Sequence, residues 1–309
     1  MFNGDVAAGT PSPIVSVSPV TLPAADRGED LRMRVSAPVT GRELPILIFS
    51  HGFGKSMQAY APLVDYWAAH GFVVVQPTHL DSRTLNITPD DPRHPEIWRF
   101  RVADLKRTLD HLDVIEAAVP GLEGRLDRGR VAAVGHSWGG QTVSMLLGAR
   151  VLGADGVPGE DLADSRITAG VLLSTTGTGG ADLNPFAAER FPFMSPSFTE
   201  MTTPALVVAG DKDQSPLSVR GPDWFTDPYH LSPGPKSLLT LYGAEHSLGG
   251  VAGYTVTETT DESPERVALI QRITVAYLRS ALYPGDDTWA TVRAALRDDI
   301  DRLGRISVR

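Results

Sequence analysis

The densest local chemistry in the chain is Gly135-His136-Ser137-Trp138-Gly139-Gly140, directly after the apolar run 131–134 and directly before the helical stretch 141–150. A strand-to-helix turn this tight strains its central residue and lets the flanking segments approach only if the outer positions lack a Cβ. Ser137 is thereby presented at the C-terminal end of a strand, beneath the positive end of the next helix. A serine hydroxyl is a poor nucleophile until a base takes its proton, and that base must itself be oriented. Of the eight histidines, His246 suits the task. It lies in Tyr242-Gly243-Ala244-Glu245-His246-Ser247, just past the last predicted strand, where a loop delivers a side chain to the C-terminal edge of a parallel sheet. His136 sits inside the turn, His70 at a helix end and His111 within a helix, positions that suit solvated or core histidines.

The orienting acid should follow an earlier strand, and the run 205–209 leads into Gly210-Asp211-Lys212-Asp213. Asp211 directly follows the strand's terminal glycine and suits the turn. Asp213 is therefore the preferred acid, with Asp211 and then Asp182 as alternatives. Ser50-His51-Gly52-Phe53-Gly54 follows another apolar run, and its glycines let backbone N–H groups approach a ligand closely. The N–H groups of Phe53 and Trp138 are the expected donors to an oxyanion.

These residues need a scaffold that brings strand ends together. From Leu44 onward the chain repeats a compact apolar run, a small-residue turn and a helical period, which predicts parallel strands joined by helices. Strands are predicted over 44–49, 72–76, 130–134, 168–173, 205–209 and 237–242. Helical faces run through Met57, Tyr60, Val64 and Trp67, through Ile97, Arg101, Leu105, Leu109, Leu112 and Ile115, and through Val267, Ile270, Ile273 and Tyr277. Residues 287–303 form a final amphipathic helix whose stripe must be buried on the body or on a second copy of the chain. Residues 1–27 read as a loose N-terminal segment with a short alternating stretch suited to an edge strand. Segments 81–96, 177–203 and 214–235 interrupt the pattern and carry Phe186, Phe191, Phe193, Phe198, Trp224, Phe225 and Tyr229. The last two segments are expected to be lids or pocket walls. With no repeat and no linker, residues 1–309 read as a single domain.

The formal charge of −9, from 28 Lys plus Arg against 37 Asp plus Glu, opposes unaided binding to nucleic acid or to an anionic membrane. Cysteine is absent, so disulfides, thiolate metal sites and a cysteine nucleophile are excluded. No zinc motif, phosphate loop or dinucleotide fingerprint occurs, and neither cofactor nor metal is expected. No apolar run spans a membrane, and residues 1–20 lack the form of a secretory signal, which leads to the expectation of a cytoplasmic protein.

The spacing from His51-Gly52 through Gly135-x-Ser137-x-Gly139 to Asp213 and His246 resembles the α/β-hydrolase superfamily from about residue 30 to residue 282. Within it, Phe49-Ser50-His51-Gly52-Phe53-Gly54 with Gly135-His136-Ser137-Trp138-Gly139-Gly140 is most similar to the platelet-activating-factor acetylhydrolase, chlorophyllase and dienelactone-hydrolase-like esterases. Two departures stand out. Dienelactone hydrolases use cysteine, absent here. The other two groups carry their acid after the strand that follows the elbow, whereas Ser174-Thr175-Thr176-Gly177 offers none before Asp182. The resemblance implies an α/β-hydrolase fold and a serine esterase acting on a small-molecule ester, here expected to be neutral and largely apolar. Lactone, thioester or amide hydrolysis and perhydrolysis can use the same three residues, and the fold can also serve as a ligand-binding receptor.

Overall fold

The computed structural model describes residues 10–88, 90–253, 257 and 259–309, apart from the side chains of residues 299 and 301. Residues 1–9 of the expected loose segment lie outside that range. Among the described residues the centre is a nine-stranded sheet in the order β1-β2-β4-β3-β5-β7-β9-β10-β11. Its parallel core is β4 (Val73–Pro77), β3 (Leu44–Ser50), β5 (Leu126–His136), β7 (Ile167–Leu173), β9 (Ala205–Gly210) and β10 (Lys236–Leu241). All six are the apolar runs read from the sequence. In β3 every residue is buried, because helices cover both faces. Its side chains alternate: Ile46 and Ile48 enter one hydrophobic cluster, Leu47 and Phe49 the other.

The first cluster is closed by α2 (Ile97–Asp110), α3 (Leu112–Ala118) and α4 (Trp138–Leu146). The second is closed by α1 (Ala61–Ala69), α7 (Pro264–Leu282) and α8 (Thr288–Ala295). This is the α/β-hydrolase fold, with a mostly parallel sheet and helices on both faces.

Several expectations are corrected. The alternating stretch near the N-terminus is the edge strand expected, β1 (Ile14–Leu22), antiparallel to β2 (Leu31–Pro38), but the segment after it is not loose, since Arg27 is buried. Strand β2 has a plain alternation that the sequence reading passed over. The long face from Ile97 to Ile115 is divided between α2 and α3 at His111. The C-terminal helix breaks at Leu296 into α8 and α9 (Arg297–Leu303), and the chain then returns as β11 (Gly304–Val308), antiparallel to β10. Its apolar stripe, through Val292, Leu296 and Ile300, is buried on the body, so this stripe does not await a second copy.

The two expected pocket segments carry short elements of their own. The first holds α5 (Pro185–Arg190) and β8 (Pro196–Ser197), which pairs with β6 (Arg150–Val151); the second holds α6 (Asp227–Leu231). Arg220 joins them, reaching Asp227 at 2.8 Å and Asp182 at 3.2 Å.

Candidate active site

Ser137 occupies the bend between β5 and α4 with φ 56° and ψ −122°. Side-chain-bearing residues rarely adopt that conformation, and the packed strand and helix on either side hold it there. A Cβ at Gly135 would overlap the carbonyl of Gly139, and one at Gly139 would overlap that of Ser50. Both glycines are therefore demanded by close backbone approach. The Ser137 N–H donates to the Leu173 carbonyl at 2.9 Å, tying the bend to β7.

The loop after β10 carries His246 over this bend. Its Nε2 lies 2.9 Å from Ser137 Oγ, and its Nδ1 lies 3.0 and 3.2 Å from the two carboxylate oxygens of Asp213. A carboxylate only accepts, so Nδ1–H is the donor and Nε2 is left as acceptor for the serine hydroxyl. The Asp213 side chain is fully buried while that of His246 is 42% exposed, so the acid is shielded and the base is accessible. Asp211 instead accepts from the Gly243 N–H at 2.7 Å and closes the turn. Asp182 is held by Thr178 Oγ1 at 2.5 Å and by Arg220. Ser137, His246 and Asp213 are thus brought together, and Asp211 and Asp182 are not.

The loop after β3 is pinned on several sides. The Gly52 N–H donates to Tyr60 Oη at 3.0 Å, and the Gly54 N–H to Asp81 at 3.1 Å. The Gly52 carbonyl accepts from His51 Nδ1 at 2.7 Å. That carbonyl shares a peptide unit with the Phe53 N–H, and in a trans peptide the two point in opposite directions. Anchoring the carbonyl on a buried histidine therefore turns the Phe53 N–H away from it. Trp138 is the first residue of α4, whose leading N–H groups have no intrahelical acceptor. The Phe53 and Trp138 rings pack at 4.6 Å, so the two backbone segments flank one space.

Beneath the loop lies a polar network that the sequence reading missed. Arg101 donates to the His51 carbonyl and pairs with Asp81 at 2.5 Å. Burial would raise the Asp81 carboxyl, but Arg101, His51 and the Gly54 N–H together hold it below the ordinary value. Asp104 meets Arg27 at 2.8 Å and His79 Nδ1 at 2.9 Å, and His79 Nε2 meets Ser50 Oγ at 2.9 Å. Burial, opposed by Arg27, raises Asp104 to about 7. Burial with Arg101 lowers His51 to about 4, and the same two causes lower His79 well below its ordinary value. A signal was available: Arg101 sits on the apolar stripe of its helix, and a charge on a buried stripe requires a buried partner.

Above Ser137 opens a cavity of about 630 Å³, walled by Trp138, Phe186, Phe191, Met194, Trp224 and Phe225, with Lys55 and Arg83 also on its lining. Three of the aromatics expected there do other work. Phe193 packs edge-on behind Trp138 at 5.3 Å, Phe198 is buried in the first cluster, and Tyr229 lies beneath the Arg309 guanidinium. Among the described residues no group of three or more His, Asp or Glu is arranged to hold a metal. Among the same residues no helix is long and apolar enough to cross a membrane.

A family model described as Chlorophyllase matches residues 15–152, a stretch that runs from β1 past the Ser137 bend and includes the loop after β3. The chain is 23% identical over 291 residues to the platelet-activating factor acetylhydrolase of Bos taurus, covering 79% of this chain and 58% of that protein. The platelet-activating factor acetylhydrolase of Canis lupus familiaris is 21% identical over 290 residues, with the same shares. These matches make the chain similar to α/β-hydrolase-like serine esterases. A putative phospholipase A2 of Schizosaccharomyces pombe is 39% identical over 59 residues, 19% of this chain and 14% of that protein. The chain spans about 58% of the length of the acetylhydrolases it matches across its length.

Proposed function

We propose that this chain is a serine hydrolase that cleaves neutral, largely apolar carboxylic esters through an acyl-enzyme. The observation that carries the reading is the unbroken run of contacts from buried Asp213 through His246 to Ser137, on the floor of an aromatic cavity. Ser137 Oγ attacks the ester carbonyl as His246 Nε2 takes its proton. Asp213 keeps the imidazole in the tautomer that can accept and stabilises the imidazolium that forms. The Phe53 and Trp138 N–H groups receive the oxyanion, a contribution of about 10² to 10³ in kcat per donor in such sites. The imidazolium then protonates the departing alcohol, and water, activated by the same histidine, releases the acid. The relatives' names, acetylhydrolase and phospholipase A2, are those of ester hydrolases and support this class of reaction.

Apolar walls gain affinity by burying substrate surface at about 25 cal/mol per Å², which favours an alkyl or aryl acyl group. Lys55 and Arg83 on the same lining favour a second reading, an ester with an anionic substituent. A p-nitrophenyl ester series of increasing acyl length, run beside a hemisuccinate ester, separates the two. The value of kcat/KM is expected to rise beyond acetate and to be low for the anionic acyl group. A clear preference for the hemisuccinate overturns the apolar reading, and no turnover of any ester overturns the hydrolase reading.

A further inference from the structure

His136, between Gly135 and Ser137 in the bend, is buried and touches both loops on which the proposed chemistry depends. Its Nε2 lies 2.8 Å from the His246 carbonyl oxygen, and its Nδ1 lies 2.9 Å from Tyr60 Oη. Tyr60 Oη in turn receives the Gly52 N–H at 3.0 Å. Tyr60 caps the start of α1 with φ 67°, a left-handed conformation unusual for a residue with an aromatic side chain. Its own N–H donates to the Ala252 carbonyl at 2.9 Å, which holds that conformation in place.

The protons on this run are determined by its ends. A carbonyl has no proton, so His136 Nε2 must carry one and donate to His246. Burial, with His246 nearby, holds His136 down at about 3, so the ring is neutral and Nδ1 must accept. The Tyr60 hydroxyl therefore donates to Nδ1 and uses its oxygen for the Gly52 N–H. Each group is engaged in one direction, and the opposite histidine tautomer would set two lone pairs against each other at the His246 carbonyl.

We infer that Tyr60 and His136 form one positioning brace that sets the loop bearing the Phe53 N–H and the loop bearing His246 in register on either side of Ser137. The inference rests on the proposed serine-hydrolase reading. Neither side chain is assigned a step in the chemistry. Both act on the backbone of residues that are, one through Gly52 next to the oxyanion donor and the other through the carbonyl of the base itself. The space around Gly52 fits this role: a Cβ there would meet Tyr60 Oη at 2.9 Å and His136 Nδ1 at 3.3 Å.

The test compares Tyr60→Phe, His136→Leu, the Tyr60→Phe/His136→Leu double variant and His136→Gln. Each is read by steady-state hydrolysis of a p-nitrophenyl ester, by the rate of fluorophosphonate labelling at Ser137 and by thermal melting. Tyr60→Phe and His136→Leu are expected to lower kcat and the labelling rate about 10- to 100-fold with KM within twofold, below the full loss of an oxyanion donor. Because the brace is one unit, the double variant should lose little more than either single variant. A glutamine carries a donor and an acceptor at its tip, so His136→Gln should recover a large part of the rate. Losses that multiply in the double variant, or rates within twofold of wild type in folded single variants, overturn the brace. So does a His136→Gln variant that melts like wild type yet is as slow as His136→Leu. If the wild-type chain itself is not labelled at Ser137, it is the hydrolase reading that fails.

Discussion

Two Ser-His-Asp triplets stand in this molecule at nearly the same distances. In one, Ser137 lies 2.9 Å from His246, which lies 3.0 Å from Asp213. In the other, Ser50 lies 2.9 Å from His79, which lies 2.9 Å from Asp104. The first opens on a cavity, with its base 42% exposed. The second is sealed, with Ser50 and His79 at 0% and Asp104 at 1% exposure. It also carries Arg27 on its acid, and Arg101 donates to its serine at 3.3 Å. Taking a proton from Ser50 would create an imidazolium in a buried site already facing two guanidinium groups, which is why His79 is driven well below its ordinary value. Matching residue types and distances are therefore insufficient for a nucleophile. Solvent access, a histidine not crowded by guanidinium groups and nearby backbone N–H donors separate the triplet proposed to react from the sealed one.

The sharpest way to break that contrast is at the two serines. Ser137→Ala is expected to eliminate fluorophosphonate labelling and to cut ester turnover by about 10⁴-fold or more, because the attacking oxygen is lost. Ser50→Ala should leave one label per chain and turnover within severalfold of wild type. Intact mass after labelling decides it, and a labelled Ser137→Ala chain would move the nucleophile elsewhere.

The two acids come next. Asp213→Asn should lower kcat about 10⁴-fold with little change in melting, since the amide favours the wrong imidazole tautomer. Asp104→Asn should instead leave turnover nearly unchanged and cost about 1–3 kcal/mol of stability by weakening the buried contacts to Arg27 and His79. Asp211→Asn should stay within about tenfold of wild type, the cost of loosening one turn. A larger kinetic loss at Asp211 than at Asp213 would reassign the acid, and no loss at either would direct attention to Asp182.

The smallest expected effect is on stability against pH. His51, His79 and His136 are all depressed in the folded chain, so on acidification the unfolded chain takes up protons near pH 6.5 that the folded chain refuses. Their contribution is complete above that pH and is lost as the pH falls toward their folded values. Asp104, raised to about 7, works in the opposite sense between pH 7 and about 4, because the folded chain keeps a proton that the unfolded chain has released. Three groups outweigh one, and each contributes at most about 1.4 kcal/mol per pH unit. Urea midpoints should fall between pH 6.5 and 5, and His136→Gln should flatten the slope. A midpoint that holds or rises over that interval would contradict the buried neutral state of these histidines.

The parallel strands, the bend at Ser137 and the shortlist of acids and bases, with His246 and Asp213 preferred, are legible in the sequence. Those features are local: apolar runs report burial on both faces, and the glycines at 135 and 139 report a backbone approach that no Cβ permits. Folding adds what the sequence does not show, that a second histidine, His79, stands in a matching Ser-His-Asp triplet that is sealed from solvent. His79 and His246 both lie just beyond strands at the same sheet edge, and their difference is solvent access and the guanidinium groups that α2 and the turn after β1 bring to one of them. The tertiary structure also broke the last helix at Leu296 to return β11 to the sheet, and joined Tyr60 to His136 across 76 residues. Burial and long-range hydrogen bonding depend on what arrives from elsewhere in the chain, and no local period or spacing records that.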